Sequence, residues 1–282
     1  MDCKLLSMKE HAEIAILMAT YNGETYLREQ LDSLMSQTFR NWTLYIQDDF
    51  STDSTVAIIK EYQERYSNIV LLDHDQKLGA MGNFVLMLEK VDADYFLFCD
   101  QDDVWIENKV ALSLNEIKTL EDENPGKPVV VFTDLRVVDA SLGEISSSFW
   151  EDMKINPKKL STFARLGARR LATGCTMCFN RLAKSVSLPV SANAYMHDAW
   201  VVLSVSKQGG VMKGIPIPMV LYRQHASNVL GAVRSGLMKK FTDLKNVWRE
   251  NMKVYRMLKD LQYGSFPKYV YYKIVTLLEA YL

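Results

Sequence analysis

Two hydrophobic periodicities organise the chain. In its first half, short apolar runs alternate with stretches whose apolar positions recur every three or four residues. The runs "EIAILMAT" (13–20), "WTLYIQDD" (42–49), "NIVLLD" (68–73), "DYFLFCD" (94–100) and "PVVVFTDLRVVD" (128–139) read as strands. Helices are expected between them, over 25–37, 51–66, 79–91 and 107–120. The first carries Tyr26, Leu27, Leu31, Leu34 and Met35 on one stripe. This alternation predicts an α/β fold, with a mostly parallel central sheet and helices on both faces. The second half is less regular. Residues 169–186 read as a loop, a short strand and a helix, and 195–209 as a helix entered at "MHD". Residues 211–225 read as strand segments broken by Pro216 and Pro218, which suit sheet edges. Long basic amphipathic helices follow over 237–261 and 266–282. The expected division is an N-terminal extension at 1–12, one domain over 13–230 and a helical C-terminal region over 231–282.

Charge refines this picture. The formal net charge of −1 over 282 residues argues against nucleic acid as a partner. From Gly231 to Leu282, however, ten Lys and Arg face four Asp and Glu, giving a net +6 there. Basic helices with aromatics suit peripheral contact with an anionic membrane, and equally a helical hairpin packed on the domain or on a second copy in a homodimer. The opening "MDCKLLSMKEHAE" lacks the apolar core of a signal peptide, and no run of 18 apolar residues exists. A cytoplasmic protein, peripheral at the inner face of the membrane if the helices bind lipid, is the expectation. Of four cysteines, Cys175 and Cys178 form a C-x-x-C without a second pair or a nearby His, so buried packing is expected rather than zinc or redox use.

Open parallel sheets bind ligands beyond the carboxyl ends of their strands. Three polar clusters fall there: Tyr21–Glu24, Asp48–Asp49 and Asp100–Asp103. Asp100 and Asp102 are two carboxylates one residue apart on a turn. They suit a hard divalent cation, Mn²⁺ or Mg²⁺, whose remaining sites substrate phosphates would fill; such pairs also occur in solvated turns. Asp48 or Asp49 suits a base N–H or a ribose hydroxyl, and any of Asp48, Asp49 and Asp53 also suits helix capping. Tyr21 offers a face to a base, or fills core. Trp105, Trp150 and Phe149 suit stacking on a sugar, or core packing. There is no G-x-G-x-x-G and no P-loop.

These residues carry a resemblance. "ILMATYNGETYLREQLDSLMSQTFRNWTLYIQDDFSTDST" resembles the opening of glycosyltransferase family 2, the inverting sugar transferases of the GT-A fold. "KLGAMGNF" resembles the family's next segment and "FCDQDDVW" its D-x-D metal loop. "HDAW" and "YRQH" are most similar to bacterial rhamnosyltransferases of cell-wall and capsular polysaccharides. The resemblance spans roughly residues 13–230. It implies that Asp102 binds the cation and Asp100 faces the ribose. It implies that Tyr21, Glu24, Asp48, Asp49, Lys77 and Gln101 belong to the nucleotide-sugar pocket. Asp198 would be the general base, with His197 in place of the family's Glu, on the acceptor side with Trp105. His225 would reach the cation or the diphosphate, assisted by Arg223. The implied reaction is a single inverting displacement from a nucleotide sugar, dTDP-rhamnose favoured, to an oligosaccharide acceptor, lipid-linked or free. A UDP-hexose or UDP-N-acetylhexosamine donor is the alternative, and a non-catalytic sugar- or nucleotide-binding subunit the alternative of another class. A nucleotidyltransferase would need a basic Gly-rich loop after the first strand, where this chain has "ATYNGETY".

Overall fold

The computed structural model describes residues 12–225 and 244–281. Residues 1–11 of the expected extension, the boundary near 230 and the start of the helix expected from 237 lie outside the described residues. Strands β1 (Ile14–Thr20), β2 (Thr43–Asp48), β3 (Ile69–Leu72) and β4 (Tyr95–Cys99) alternate with helices α1 (Leu27–Met35), α2 (Thr55–Arg65) and α3 (Gly79–Lys90). Then come β5 (Val104–Trp105), α4 (Lys109–Glu123), β6 (Val129–Val138), β7 (Glu144–Ser146), α5 (Phe149–Asp152) and α6 (Phe163–Ala168). A 3₁₀ turn at Gly174–Thr176 leads into β8 (Met177–Asn180), α7 (Arg181–Ser187), α8 (His197–Lys207) and β9 (Val211–Arg223). Helices α9 (Leu244–Asp260) and α10 (Phe266–Tyr281) close the described chain.

All nine strands form one sheet, in the order β3-β2-β1-β4-β8-β6-β9-β5, with β7 paired to β6. The first four are parallel, as the alternation predicts. β8 inserts antiparallel between β4 and β6, which the sequence pattern did not reveal. Alternate residues of each strand face opposite sides. Ile14, Ile16, Met18, Leu97 and Cys99 join one core, covered by Leu27, Leu31 and Leu34 of α1, Ile58 and Ile59 of α2, and Val110 and Ile117 of α4. Ala15, Leu17, Phe96 and Phe98 join the other, beneath Phe84 and Met87 of α3, Val201 and Val205 of α8, and Met257 and Leu258 of α9. The sheet is thus buried on both faces, and its polar loops gather at the strand ends.

Pro216 and Pro218 do not break the strand. β9 runs unbroken through them between β6 and β5. Pairing with β6 jumps from Thr133↔Ile215 to Asp134↔Pro218, so Pro216 and Ile217 form a bulge. On the other side, β5 pairs only with Val220 and Leu221. The proline nitrogens therefore sit where a missing donor costs little.

Candidate active site

The acidic turn is held by its neighbours. β4 is buried along its whole length and β5 is paired to β9, so Asp100–Asp103 span a short gap between two anchored strands. Gln101 locks the turn to the loop after β1. Its Oε1 accepts from the Tyr21 N–H (2.9 Å), and its Nε2 donates to the Tyr21 carbonyl (3.1 Å). Gly23 is required beneath it, because a Cβ there would lie 2.3 Å from Gln101 Oε1. Glu24 ties the same loop to α2: its carboxylate accepts from the Ser54 N–H (2.8 Å), and its own N–H donates to Asp53 (3.1 Å). Gln101 and Glu24, expected against the nucleotide, thus spend their polar atoms on the loops.

Asp102 meets His225, with 2.8 Å between Oδ2 and Nε2, and the Tyr26 ring lies 4.8 Å from the imidazole. The structure thus joins two residues 123 positions apart, both expected at the cation. Arg223, expected at the diphosphate, is instead 1% exposed. Its Nε donates to the Asp102 carbonyl (2.9 Å), its backbone N–H to Asp103 Oδ1 (3.2 Å) and its Nη1 to the Ala140 carbonyl (2.6 Å). It also pairs with Glu29 and lies over Tyr26. Buried and bound to the turn's backbone, it holds the turn in place.

Asp100, Asp103 and the Cys175 thiol bring one ligand atom each to within 4.8 Å of one another. Burial, then the charges of Asp102 and Asp198, push the Asp100 carboxyl up to about 7. Burial, then Asp100 and Asp102, also raise Asp103 well above the carboxylate range. Cys99, Cys175 and Cys178 are free and buried. Crowded carboxyls whose ionisation is suppressed by burial and then by mutual repulsion fit a hard divalent cation, whose charge would restore it.

Across the cleft, Asp198 occupies the first turn of α8. It is 1% exposed. Oδ2 accepts from the Gly174 N–H (3.0 Å) and forms an ion pair with Arg170; Oδ1 accepts from the Ala199 N–H (2.6 Å). Burial raises its pKa, but the Arg170 charge and these hydrogen bonds outweigh it and hold Asp198 below the usual range. Gly174 donates to Asp198 while the next residue, Cys175, sits with Asp100 and Asp103, which places this pair beside the acidic turn. Arg170 was not singled out from sequence. Its only signal was a charged pair, "RR" at 169–170, ahead of the small-residue stretch "ATGC".

His197 and Trp105, expected at the acceptor, are core residues. His197 stacks on Phe84 (4.0 Å between centroids) and meets Phe98 edge-on (4.6 Å). Burial lowers its pKa to about 4, so the ring is neutral and carries no charge to a ligand. Trp105 is 3% exposed, with Lys109 Nζ 3.6 Å from its ring centroid, which leaves no open face for a sugar. Asp49 is also committed to the chain: its carboxylate accepts from the Leu78 and Gly79 N–H groups (2.7 and 3.0 Å) and caps α3. Asp48 accepts from Thr20 and Ser51 hydroxyls (2.8 and 2.6 Å) but is only half-buried. Tyr21 is exposed at the cleft mouth, with Lys77 Nζ 3.6 Å from its ring centroid.

Known proteins bear on this arrangement. A 98-residue stretch is 42% identical to "dTDP-rhamnosyl transferase RfbG" of Shigella flexneri, covering 33% of this chain and 34% of that one. A 102-residue stretch is 32% identical to "UDP-Glc:alpha-D-GlcNAc-diphosphoundecaprenol beta-1,3-glucosyltransferase WfgD" of Escherichia coli, covering 36% and 40%. The matches thus span well under half the length of either relative. The fold is shared with S. aureus TarS 1-349 in complex with UDP-GlcNAc, at TM-score 0.55 and 18% identity over 77% of this chain and 60% of that one. It is also shared with the mannosyltransferase PcManGT from Pyrobaculum calidifontis in complex with GDP-Man and Mn²⁺, at TM-score 0.57 and 14% identity over 96% and 81%. The GT-A architecture expected from the sequence is therefore the one observed. The model of Glycosyl transferase family 2 matches residues 15–178, more than half of the chain, and the chain belongs to that family.

Proposed function

We propose that this chain is an inverting glycosyltransferase that moves a sugar from a nucleotide donor to a cell-surface oligosaccharide or lipid-linked acceptor. The observation that carries the reading is the meeting, at one edge of the sheet, of the Asp102–His225 pair with an ionised, Arg-paired Asp198. Asp198 is the base. It takes the proton of the acceptor hydroxyl as that oxygen attacks the anomeric carbon from the side opposite the leaving nucleotide. Arg170 keeps Asp198 charged and ready to accept that proton. Asp102 and His225, with Asp100, would hold Mn²⁺ or Mg²⁺, which supplies positive charge for the diphosphate. Tyr21, Lys77 and Asp48 line the nucleoside side. No acid is needed on the leaving oxygen, because a nucleoside diphosphate leaves readily; the two-carboxylate geometry of glycoside hydrolases is not required.

The likeness to a dTDP-rhamnosyl transferase favours dTDP-rhamnose, and the likeness to a UDP-Glc-dependent enzyme supports a UDP-hexose as second reading. The diphosphoundecaprenol in the second relative's name supports a lipid-linked acceptor at a membrane. Among the described residues no helix is long and apolar enough to cross it. We read residues 13–230 as the catalytic domain and 231–282 as an appended basic helical region. Thermal shift with dTDP, UDP and GDP, each with Mn²⁺, Mg²⁺ or chelator, tests the donor. A metal-dependent shift largest for dTDP is expected; a shift largest for UDP moves the donor to the second reading, and no metal-dependent shift with any nucleotide contradicts the proposal.

A further inference from the structure

We infer that the outer face of the C-terminal hairpin is a docking surface for an anionic lipid bilayer. Helix α10 has two faces. The inner one is built into the protein. Tyr269 and Thr276 are buried, Arg165 Nη2 pairs with Glu279 (2.8 Å), and Arg169 Nη1 donates to the Thr276 carbonyl (3.0 Å). Tyr263, in the turn between α9 and α10, packs on Gly167, where a Cβ would lie 2.4 Å from its ring. The hairpin therefore has a fixed orientation on α6.

The outer face of α10 is apolar, and among the described residues nothing covers it. Val270, Tyr271, Ile274, Leu277 and Leu278 are all exposed, up to 61% at Tyr271. At 100° per residue they share an arc of about 120°. Trp248 of α9, 57% exposed, extends this surface across its contact with Phe266 at the start of α10. A water-facing helix does not place five apolar residues on one arc without a partner.

Charge decides the occupant. Residues 244–281 carry seven Lys and Arg against three Asp and Glu, net +4 in a chain of net −1. Arg249, Lys268 and Lys273 are exposed on the same two helices as the apolar stripe. A second copy docked through a two-fold axis would bring these cations against one another. An anionic headgroup layer complements them, while the stripe enters the acyl boundary and Trp248 and Tyr271 sit at the interface. The position also suits a lipid-borne acceptor. Arg169 bonds α10, and the next residue, Arg170, pairs with Asp198.

Flotation of the full chain with phosphatidylcholine vesicles, with and without phosphatidylglycerol, reads this without turnover. The chain is expected to float with the mixed vesicles and to be released by salt. The triple variant Ile274→Glu, Leu277→Glu, Leu278→Glu should bind at least about tenfold more weakly. Because these side chains are exposed, its thermal melt should match the parent. Lys268→Gln with Lys273→Gln should weaken binding about fivefold per charge. The inference is overturned if the parent chain does not float with anionic vesicles, or if the triple variant floats as well as the parent. It is also overturned if sedimentation shows a parent dimer that ignores vesicles and that the triple variant converts to a monomer; the stripe would then be a self-association surface.

Discussion

Asp103 and Asp198 are both buried carboxyls at the same edge of the sheet, yet they are driven in opposite directions. Asp103 ends a turn with two acidic neighbours and accepts from the Arg223 backbone N–H. Asp198 opens a helix, accepts two backbone N–H groups and faces a guanidinium. Burial acts alike on both, so their partners decide the outcome. On the proposed function, the acidic turn would take a cation and a pyrophosphate. The start of α8 already holds its charge balance, which makes Asp198 a carboxylate available to take a proton.

The comparison can be broken at four points. Asp198→Asn should lower turnover by about 10² to 10⁴ while nucleotide-dependent thermal shift persists; full turnover in the variant would place the base elsewhere. Asp102→Ala should abolish the metal-dependent nucleotide shift, a loss of about 2.7 kcal/mol of stabilisation at a nucleotide concentration a hundred times its Kd. Calorimetric melts with and without chelator check this. Arg170→Met acts on the Asp198 side. Asp198 is held below its unfolded value, so its stabilising contribution is present above about pH 4 and fades as pH falls through the folded value. Without Arg170, burial raises that value, so the acidic limb of the rate profile should move toward neutral pH. Breaking a buried pair costs about 3–5 kcal/mol, and solvent at the partly open Arg170 side chain reduces this to about 1–3 kcal/mol. Asp103→Asn should have the smallest effect and the opposite sign. Its folded value lies above the unfolded one, so ionisation costs stability as pH rises above about 4. In chelator, the variant should match the parent in acid and gain about 1 kcal/mol at neutral pH, read from urea melts.

The first half of the molecule was legible because each strand, helix and strand-end cluster repeats the same local pattern. Asp100 and Asp102 stand out by type and by position after an apolar run, whereas Asp198 and His225 are indicated by the family resemblance. What failed was burial, which residue type alone does not report. Trp105 and His197 look like ligand-binding side chains, yet β5 pairing with β9 carries one into the core, and the Phe84–Phe98 pocket takes the other. Arg223 looks like a phosphate clamp, yet the carbonyls of Asp102 in the turn and of Ala140 after β6 engage it. Arg170 escaped notice because its partner lies 28 residues away and appears only when the Gly174 turn folds against α8. The antiparallel β8 likewise depends on pairing with β4 and β6 that no local pattern encodes.

Crystals grown with dTDP and Mn²⁺, measured for anomalous scattering, put the whole arrangement at risk. The expected result is a manganese peak at coordination distance, about 2.0–2.6 Å, from Asp102 and the nucleotide diphosphate, with His225 and Asp100 turned toward it and the Asp198–Arg170 pair intact across the cleft. Nucleotide bound away from this turn, or ordered at it with no metal peak beside Asp102, would contradict the account.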